Sequence, residues 1–101
     1  MSFGHQRERD LVNQLRAEGW FALRAPASLG VADVVALKEG EKPRLIESKA
    51  TAAGPYAGFL PADRERLSQA AKEAGAEAWL YWHPKRKPPE WIAESQWPTR
   101  R

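Results

Sequence analysis

The sequence of 101 residues predicts a mixed α/β (α+β) fold, in which a central mixed β-sheet of four to five strands is flanked by helices. Two stretches show the helical repeat of apolar residues, and four or five short runs have strand character. Their order along the chain, α-β-β-β-α-β-(β), favours one sheet with helices packed on it. The length fits one domain, so a single domain over 1–101 is expected, with flexible ends at about 1–4 and 95–101.

The first helix is predicted over residues 5–18, where an acid begins an otherwise apolar stripe. The stripe occupies helix positions i, i+3, i+4 and i+7, so it faces the core. It consists of Glu8, Leu11, Val12 and Leu15. Gly19 then provides a stop signal. A second helix is predicted over 61–75, because Pro61 suits a first turn and Gly75 suits a C-terminal cap.

The strand-like runs include a pair that predicts an antiparallel hairpin. The runs 31–37 and 43–49 flank a short turn centred on Gly40. Asp33 and Glu47 are equally distant from that centre, so they are predicted to lie opposite each other, with Cβ atoms roughly 4.5–5.5 Å apart. The other strands are predicted over 20–25, 76–82 and 90–93, the last as an optional fifth strand.

Two opposed carboxylates in this hairpin require compensation by a proton or a cation. At about 5 Å they repel by roughly 3 kcal/mol at an effective dielectric constant near 20. Strand alternation puts Lys49 on the same face as Glu47, and Glu8 points inward from the first helix. Hard oxygen ligands of this kind suit Mg²⁺ or Mn²⁺. The sequence therefore predicts a metal site built from Asp33, Glu47 and Glu8, with Lys49 beside it.

Simpler interpretations remain open for most of these residues. Glu8 is also the kind of first-turn acid that the helix dipole favours. Glu47 and Lys49 could form an exposed ion pair on a strand. Asp33 is harder to explain in this way, because an acid within an apolar run disfavours strand formation.

Composition excludes several classes of protein and favours an anionic partner. There is no cysteine, so disulfides and thiolate zinc sites are excluded. No apolar run reaches the length of a membrane span and no signal-peptide core begins the chain, so an intracellular (cytoplasmic) location is expected. The net charge is +3, and its basic clusters suit phosphate contacts, although solvated surface charge is the alternative. The clusters contain Arg7, Arg9, Arg24, Lys85, Arg86, Lys87, Arg100 and Arg101.

The acids and the lysine resemble the signature of the PD-(D/E)XK nuclease superfamily. That signature is an acid, a spacer, and then acid-x-lysine, which here corresponds to Asp33, thirteen intervening residues, and Glu47-Ser48-Lys49. Ala32 stands where the superfamily name expects proline. The stretch "RERDLVNQLRAEGWFALRAPAS" is similar to the N-terminus of archaeal-type Holliday junction resolvases, the Hjc family. The resemblance covers roughly residues 4–92.

This resemblance implies a restriction-endonuclease-like fold and a homodimer that resolves four-way DNA junctions by paired symmetric nicks, using Mg²⁺ (or Mn²⁺ in its place). It implies catalytic roles for Glu8, Asp33, Glu47 and Lys49. It also places Arg9, Arg24 and Ser28 near the scissile phosphate, and matches Tyr56 to a frequent family tyrosine. Two alternatives remain: a related nuclease that cuts flap, mismatched or duplex DNA, and a non-catalytic DNA-binding module on the same fold.

Tryptophan is frequent in the last third of the chain. The residues are Trp79, Trp82, Trp91 and Trp97. Core packing, a dimer interface and stacking on splayed bases are each compatible with them. If the chain dimerises, the fourth strand and its neighbouring helix are expected to contribute to the interface.

Overall fold

The structure is a computed structural model that describes residues 3–25 and 31–98, with only the backbone described for residues 3–5. The elements follow the predicted order. They are α1 (Phe3–Ala17), β1 (Phe21–Arg24), β2 (Val34–Leu37), β3 (Arg44–Lys49), α2 (Pro61–Ala74), β4 (Glu77–Trp82), β5 (Glu90–Ala93) and a short 3-10 helix (Glu94–Gln96). The predicted mixed sheet with flanking helices is confirmed. Neither described helix is both long enough and apolar enough to cross a bilayer.

The five strands form one sheet in the order β1-β2-β3-β4-β5, in which only β3 and β4 run parallel. Because they are parallel, their last residues, Lys49 and Trp82, lie side by side at one end of the sheet. Arg24, the last residue of β1, pairs with Val34, the first residue of β2, at that same end. We call this end the site edge. It is where the chain brings its acidic strand segments and several of its basic residues together.

Each face of the sheet carries its own helix and its own apolar cluster. Leu11 and Leu15 of α1 pack with Ile46 of β3 on one face. Leu67 of α2 packs with Leu80 of β4 on the other face, and all five side chains are essentially inaccessible to solvent. Strand alternation therefore sends Ile46 to the α1 face and its neighbour Glu47 to the α2 face.

The second strand is shorter than the predicted run 31–37, since it begins only at Val34. The register nevertheless agrees with the prediction, because Val34 pairs with Ile46 and would place the preceding residue near Glu47. At Asp33 the β2–β3 ladder ends in two hydrogen bonds, one of which uses the side chain. The Asp33 backbone N–H donates to the Ile46 carbonyl at 2.9 Å, and its side-chain Oδ2 accepts from the Ser48 N–H at 2.8 Å. The carboxylate thus replaces a backbone acceptor at the end of the strand.

The helix ends agree with the sequence signals. Pro61 lies in the first turn of α2, and Gly75 caps its end in the left-handed conformation with φ of 65°. A non-glycine side chain would be strained there.

The four late tryptophans all have contacts within the chain. Trp79 packs against Trp91 with ring centroids 5.8 Å apart, and the Trp82 indole N–H donates to the Thr51 carbonyl. At residues 95–97, where a flexible end was expected, the structure has part of the 3-10 helix, and Trp97 packs edge-to-face on Phe59 at 5.0 Å. The rest of the two expected flexible ends lies largely outside the residues whose side chains are described.

Leu67 holds α2 against the sheet, so its truncation should loosen the helix. Leu67→Ala should lower the free energy of unfolding by about 2–5 kcal/mol, because the side chain is fully buried. Leu60→Ala is the matched control, since Leu60 is 56% exposed and its truncation should change the value by less than about 1 kcal/mol. Urea unfolding of both variants measures this. Equal losses would contradict the assigned core.

Candidate active site

Three of the predicted site residues meet at the site edge, at the ends of β2 and β3. Lys49 Nζ lies 3.1 Å from Glu47 Oε2, and both side chains point to the α2 face. The Glu47 side chain is only 16% exposed and that of Lys49 is 27% exposed. The pair is therefore largely withdrawn from water, unlike the exposed strand ion pair that was the simpler interpretation.

Asp33 is held in place by the backbone of the neighbouring strand. The hydrogen bond from the Ser48 N–H uses one of its two carboxylate oxygens. A carboxylate accepts about four hydrogen bonds or ligands in all. Asp33 therefore retains capacity for a further ligand while its orientation is fixed.

Glu47 has a raised pKa in this site. Its burial and the nearby Asp33 carboxylate raise the pKa of Glu47 from its ordinary value of 4.5 to about 7, while Lys49 opposes the shift. Asp63 of α2 adds a smaller effect in the raising direction. Lys49 alone therefore does not offset the combined effect of burial and the nearby carboxylates on Glu47.

Glu8 lies apart from these carboxylates. It projects from α1, on the other face of the sheet from Glu47, and its Oε1 lies 3.6 Å from Arg24 Nε. Within the part of the chain that the structure describes, no three His, Cys, Asp or Glu side chains are close enough to hold one metal ion together. The structure thus brings Asp33 and Glu47 together and places Glu8 with Arg24 beside the same edge.

Two residues that the sequence analysis did not single out also line the site. A cavity of about 110 Å³ is bounded by Val31, Glu47, Lys49, Asp63 and Arg66. Asp63 and Arg66 belong to the first two turns of α2, which follows β3 and precedes the parallel strand β4. In such a crossover, ligands bind outside the carboxyl ends of the strands. The predicted order of strand, helix and strand over β3, α2 and β4 was therefore a signal in the sequence for residues at the start of α2.

The proposed DNA-contacting residues are spread around the site edge. Arg9 and Arg24 line a second cavity of about 480 Å³ between α1 and β1. Arg7 is partly exposed, and its Nε is buried without a hydrogen-bond partner among the described residues. The structure thus places Arg9 and Arg24 together beside the site edge.

The remaining predicted contacts follow β3 and β4. Lys85, Arg86 and Lys87 are exposed in the turn after β4, next to the site edge. Tyr56 is half-buried in the segment after β3, with the Arg64 guanidinium 5.4 Å from its ring, and burial raises the pKa of its hydroxyl. Ser28 lies outside the described residues.

The donor set of the site fits a hard divalent cation. Mg²⁺ is usually held by one or two carboxylates, with waters and substrate phosphate completing its shell. Asp33 and Glu47 supply two carboxylates, and burial together with Asp33 raises the pKa of Glu47 in spite of the neighbouring Lys49. A cation beside the two groups would favour ionised Glu47. The described residues therefore fit a cation held by two protein carboxylates rather than three.

A comparison of the sequence with family models and a comparison of the fold with solved structures point to the same family. A family model described as archaeal Holliday junction resolvase (Hjc) matches residues 2–97. The fold is similar to that of Archaeoglobus fulgidus Hjc, a Holliday junction resolvase from an archaeal hyperthermophile, with a TM-score of 0.76 and 29% sequence identity. That match covers 93% of this chain and 75% of the other. A search among curated proteins gives no significant match.

The raised pKa of Glu47 predicts a pH-dependent stability in the absence of divalent ions. The folded protein holds the Glu47 proton more tightly than the unfolded chain, so this stabilisation is present below about pH 4.5 and is lost as the pH rises through 7. The loss has an upper limit of roughly 3 kcal/mol. Glu47→Gln should remove this loss, so the variant gains stability relative to the wild type between pH 5 and pH 8.

Urea unfolding in EDTA at several pH values measures the effect. Glu41→Gln is the matched control, because Glu41 is exposed in the turn before β3 and should leave the pH dependence unchanged. Parallel pH profiles for the wild type and Glu47→Gln would contradict the assigned environment.

Proposed function

The chain belongs to the archaeal Holliday junction resolvase (Hjc) family, and from that premise we propose that it is a metal-dependent endonuclease that resolves four-way DNA junctions. The observation that supports the proposal most strongly is the partly buried group of Asp33, Glu47 and Lys49 at the end of two paired strands. This is the acid and acid-x-lysine arrangement that the sequence shares with the PD-(D/E)XK nucleases. The reaction is hydrolysis of a phosphodiester bond by water.

In the proposed mechanism, Asp33 and Glu47 would hold a Mg²⁺ ion, for which Mn²⁺ could substitute. When bound, the cation lowers the pKa of a water and neutralises charge on the phosphate. Asp33 keeps its orientation through the Ser48 N–H. Lys49, already 3.1 Å from Glu47, donates hydrogen bonds to the attacking water or to the phosphate oxygen on which charge develops.

Glu8 has a supporting role in this proposal. In the described geometry its carboxylate faces Arg24, so it holds that guanidinium at the site edge, where a phosphate backbone would pass. Direct or water-mediated contact between Glu8 and the cation would require α1 and β3 to bring their acids closer. The basic residues Arg7, Arg9, Lys85, Arg86 and Lys87 are proposed to extend this contact to flanking phosphates.

A homodimer follows from the shape of the proposed substrate. A four-way junction has approximate two-fold symmetry, and a two-fold dimer presents equal sites to two opposed strands. An exposed apolar surface supports the proposal. Phe21, Leu23 and Leu37 are 62%, 38% and 42% exposed, and they lie on β1 and β2, beyond the reach of α2. This surface differs from the fourth strand and its helix, where the sequence analysis expected the interface.

Removal of either carboxylate should stop cleavage. Asp33→Asn and Glu47→Gln should each lower the single-turnover rate on a synthetic four-way junction by about a thousandfold, because the cation loses one of its two protein ligands. Junction binding should persist, since phosphate contacts dominate affinity. EDTA should abolish wild-type cleavage, and Mg²⁺ or Mn²⁺ should restore it.

Glu41→Gln serves as the charge-matched control for these variants, because Glu41 is exposed in the β2–β3 turn, remote from the site edge. It should cut like the wild type. Undiminished cleavage by Asp33→Asn, or wild-type cleavage that persists in EDTA, would overturn the site assignment.

Paired symmetric nicks are the expected signature of a dimer on a junction. The wild type should cut a four-way junction at two related positions, and faster than flap, mismatched or linear duplex DNA of equal length. Sedimentation should give twice the mass of one chain, which is 11.4 kDa. Mixed dimers of wild type and Asp33→Asn should nick one strand only. Equal rates on all four substrates would rule out a dedicated resolvase, and a monomeric mass on the junction would rule out the dimer.

A further inference from the structure

We propose that Arg66, on α2, is a further substrate-binding residue of this site, and that Asp63 is the positioning residue that holds it ready. This inference rests on the proposed function, because its ligand is a phosphate of the DNA that the site cuts. Arg66 and Lys49 line the same cavity of about 110 Å³, together with the carboxylates of Glu47 and Asp63. The cavity therefore has one cation from the sheet and one from the helix.

Asp63 is fixed by the beginning of α2. Its Oδ2 accepts a hydrogen bond from the Leu60 N–H at 3.2 Å, which anchors the carboxylate to the residue before the helix. Its Oδ1 accepts from the Arg66 guanidinium, one helical turn further along. One carboxylate thus caps the helix with one oxygen and directs an arginine with the other. The arginine is directed along the rim of the cavity that Glu47 and Lys49 share.

Arg66 is free to exchange its partner, whereas Lys49 is not. The Arg66 side chain is 56% exposed and that of Asp63 is 35% exposed. Water therefore screens the ion pair between them, and the pair is weak. Lys49 is only 27% exposed and is committed to the more buried Glu47. A phosphate that enters the cavity can therefore draw Arg66 away from Asp63 without disturbing the Lys49–Glu47 pair.

The guanidinium also has the shape that this task requires. Its planar donors bind two phosphate oxygens at once, whereas a lysine ammonium acts as a point charge. The neighbouring Arg64 cannot serve in the same way, because it donates to the Phe59 carbonyl at 2.5 Å and lies over the Tyr56 ring. Of the two arginines at the start of α2, one is therefore used to hold the preceding segment and one faces the cavity.

The experiment compares Arg66→Gln with Lys72→Gln, a control that removes one positive charge from an exposed position near the end of the same helix. Junction affinity is measured in EDTA at several NaCl concentrations. Loss of one phosphate contact should lower the slope of log K against log salt by about 0.9. We expect this change for Arg66→Gln and no change for Lys72→Gln.

Cleavage by the same variants gives an independent measurement. The single-turnover rate with Mg²⁺ should fall at least tenfold for Arg66→Gln relative to Lys72→Gln, and Arg66→Lys should restore the salt slope but only part of the rate. Asp63→Asn should keep the salt slope and lower the cleavage rate, because Arg66 still reaches the phosphate but is no longer oriented by the Asp63 carboxylate. Unfolding midpoints verify that the variants fold.

Equal salt slopes and equal rates for Arg66→Gln and Lys72→Gln would overturn this inference and leave the proposed function intact. If the wild type binds junctions but cuts none, the proposed function fails instead. The salt slope of Arg66→Gln would still decide, in that case, whether Arg66 contacts phosphate.

Discussion

The hydrogen bond from the Ser48 N–H to the Asp33 carboxylate is the interaction on which the site depends. It replaces the next backbone hydrogen bond of the β2–β3 ladder, so the strand pairing ends at the proposed cation site. The same bond keeps Asp33 close to Glu47, whose pKa is raised first by its own burial and then by the nearby Asp33 carboxylate. Two neighbouring, partly buried carboxylates lower the free energy of unfolding when no cation is bound. The apolar clusters on both faces of the sheet offset that cost.

The parallel pairing of β3 and β4 determines which other residues can reach this point. It requires a crossover, which α2 provides, and it brings the beginning of α2 to the same edge as Lys49. The α1 face contributes Glu8 and Arg24 from the other side. The site edge therefore receives residues from both helix layers: Lys49 and Arg66 line a cavity with Glu47, and Arg24 lies at the same end of the sheet. This arrangement suits a polyanion whose scissile phosphate must approach two acids.

Much of this could be read from the sequence, and the reasons for the differences are physical. Helical periodicity located α1 and α2, and equal distances from Gly40 gave the correct β2–β3 register. The late start of β2, at Val34, could not be predicted, because the Asp33 side chain takes the place of a backbone acceptor there. The separation of Glu8 from Glu47 depends on which face of the sheet each helix covers, and periodicity alone does not give that. The sequence does not single out Arg66, because charged residues are common on the exposed face of an amphipathic helix. Only the structure shows that Arg66 lines a cavity with Glu47 and Lys49.

The central claim is that Asp33 and Glu47 hold a divalent cation at the end of β3. The measurement that tests it most directly is a crystal structure grown with Mn²⁺, with the ion located by its anomalous scattering. We predict one ion within about 2.0–2.3 Å of an oxygen from each of these two carboxylates, and none in crystals of Asp33→Asn. Manganese that binds elsewhere on the chain, or that still occupies this position in the variant, would contradict the account.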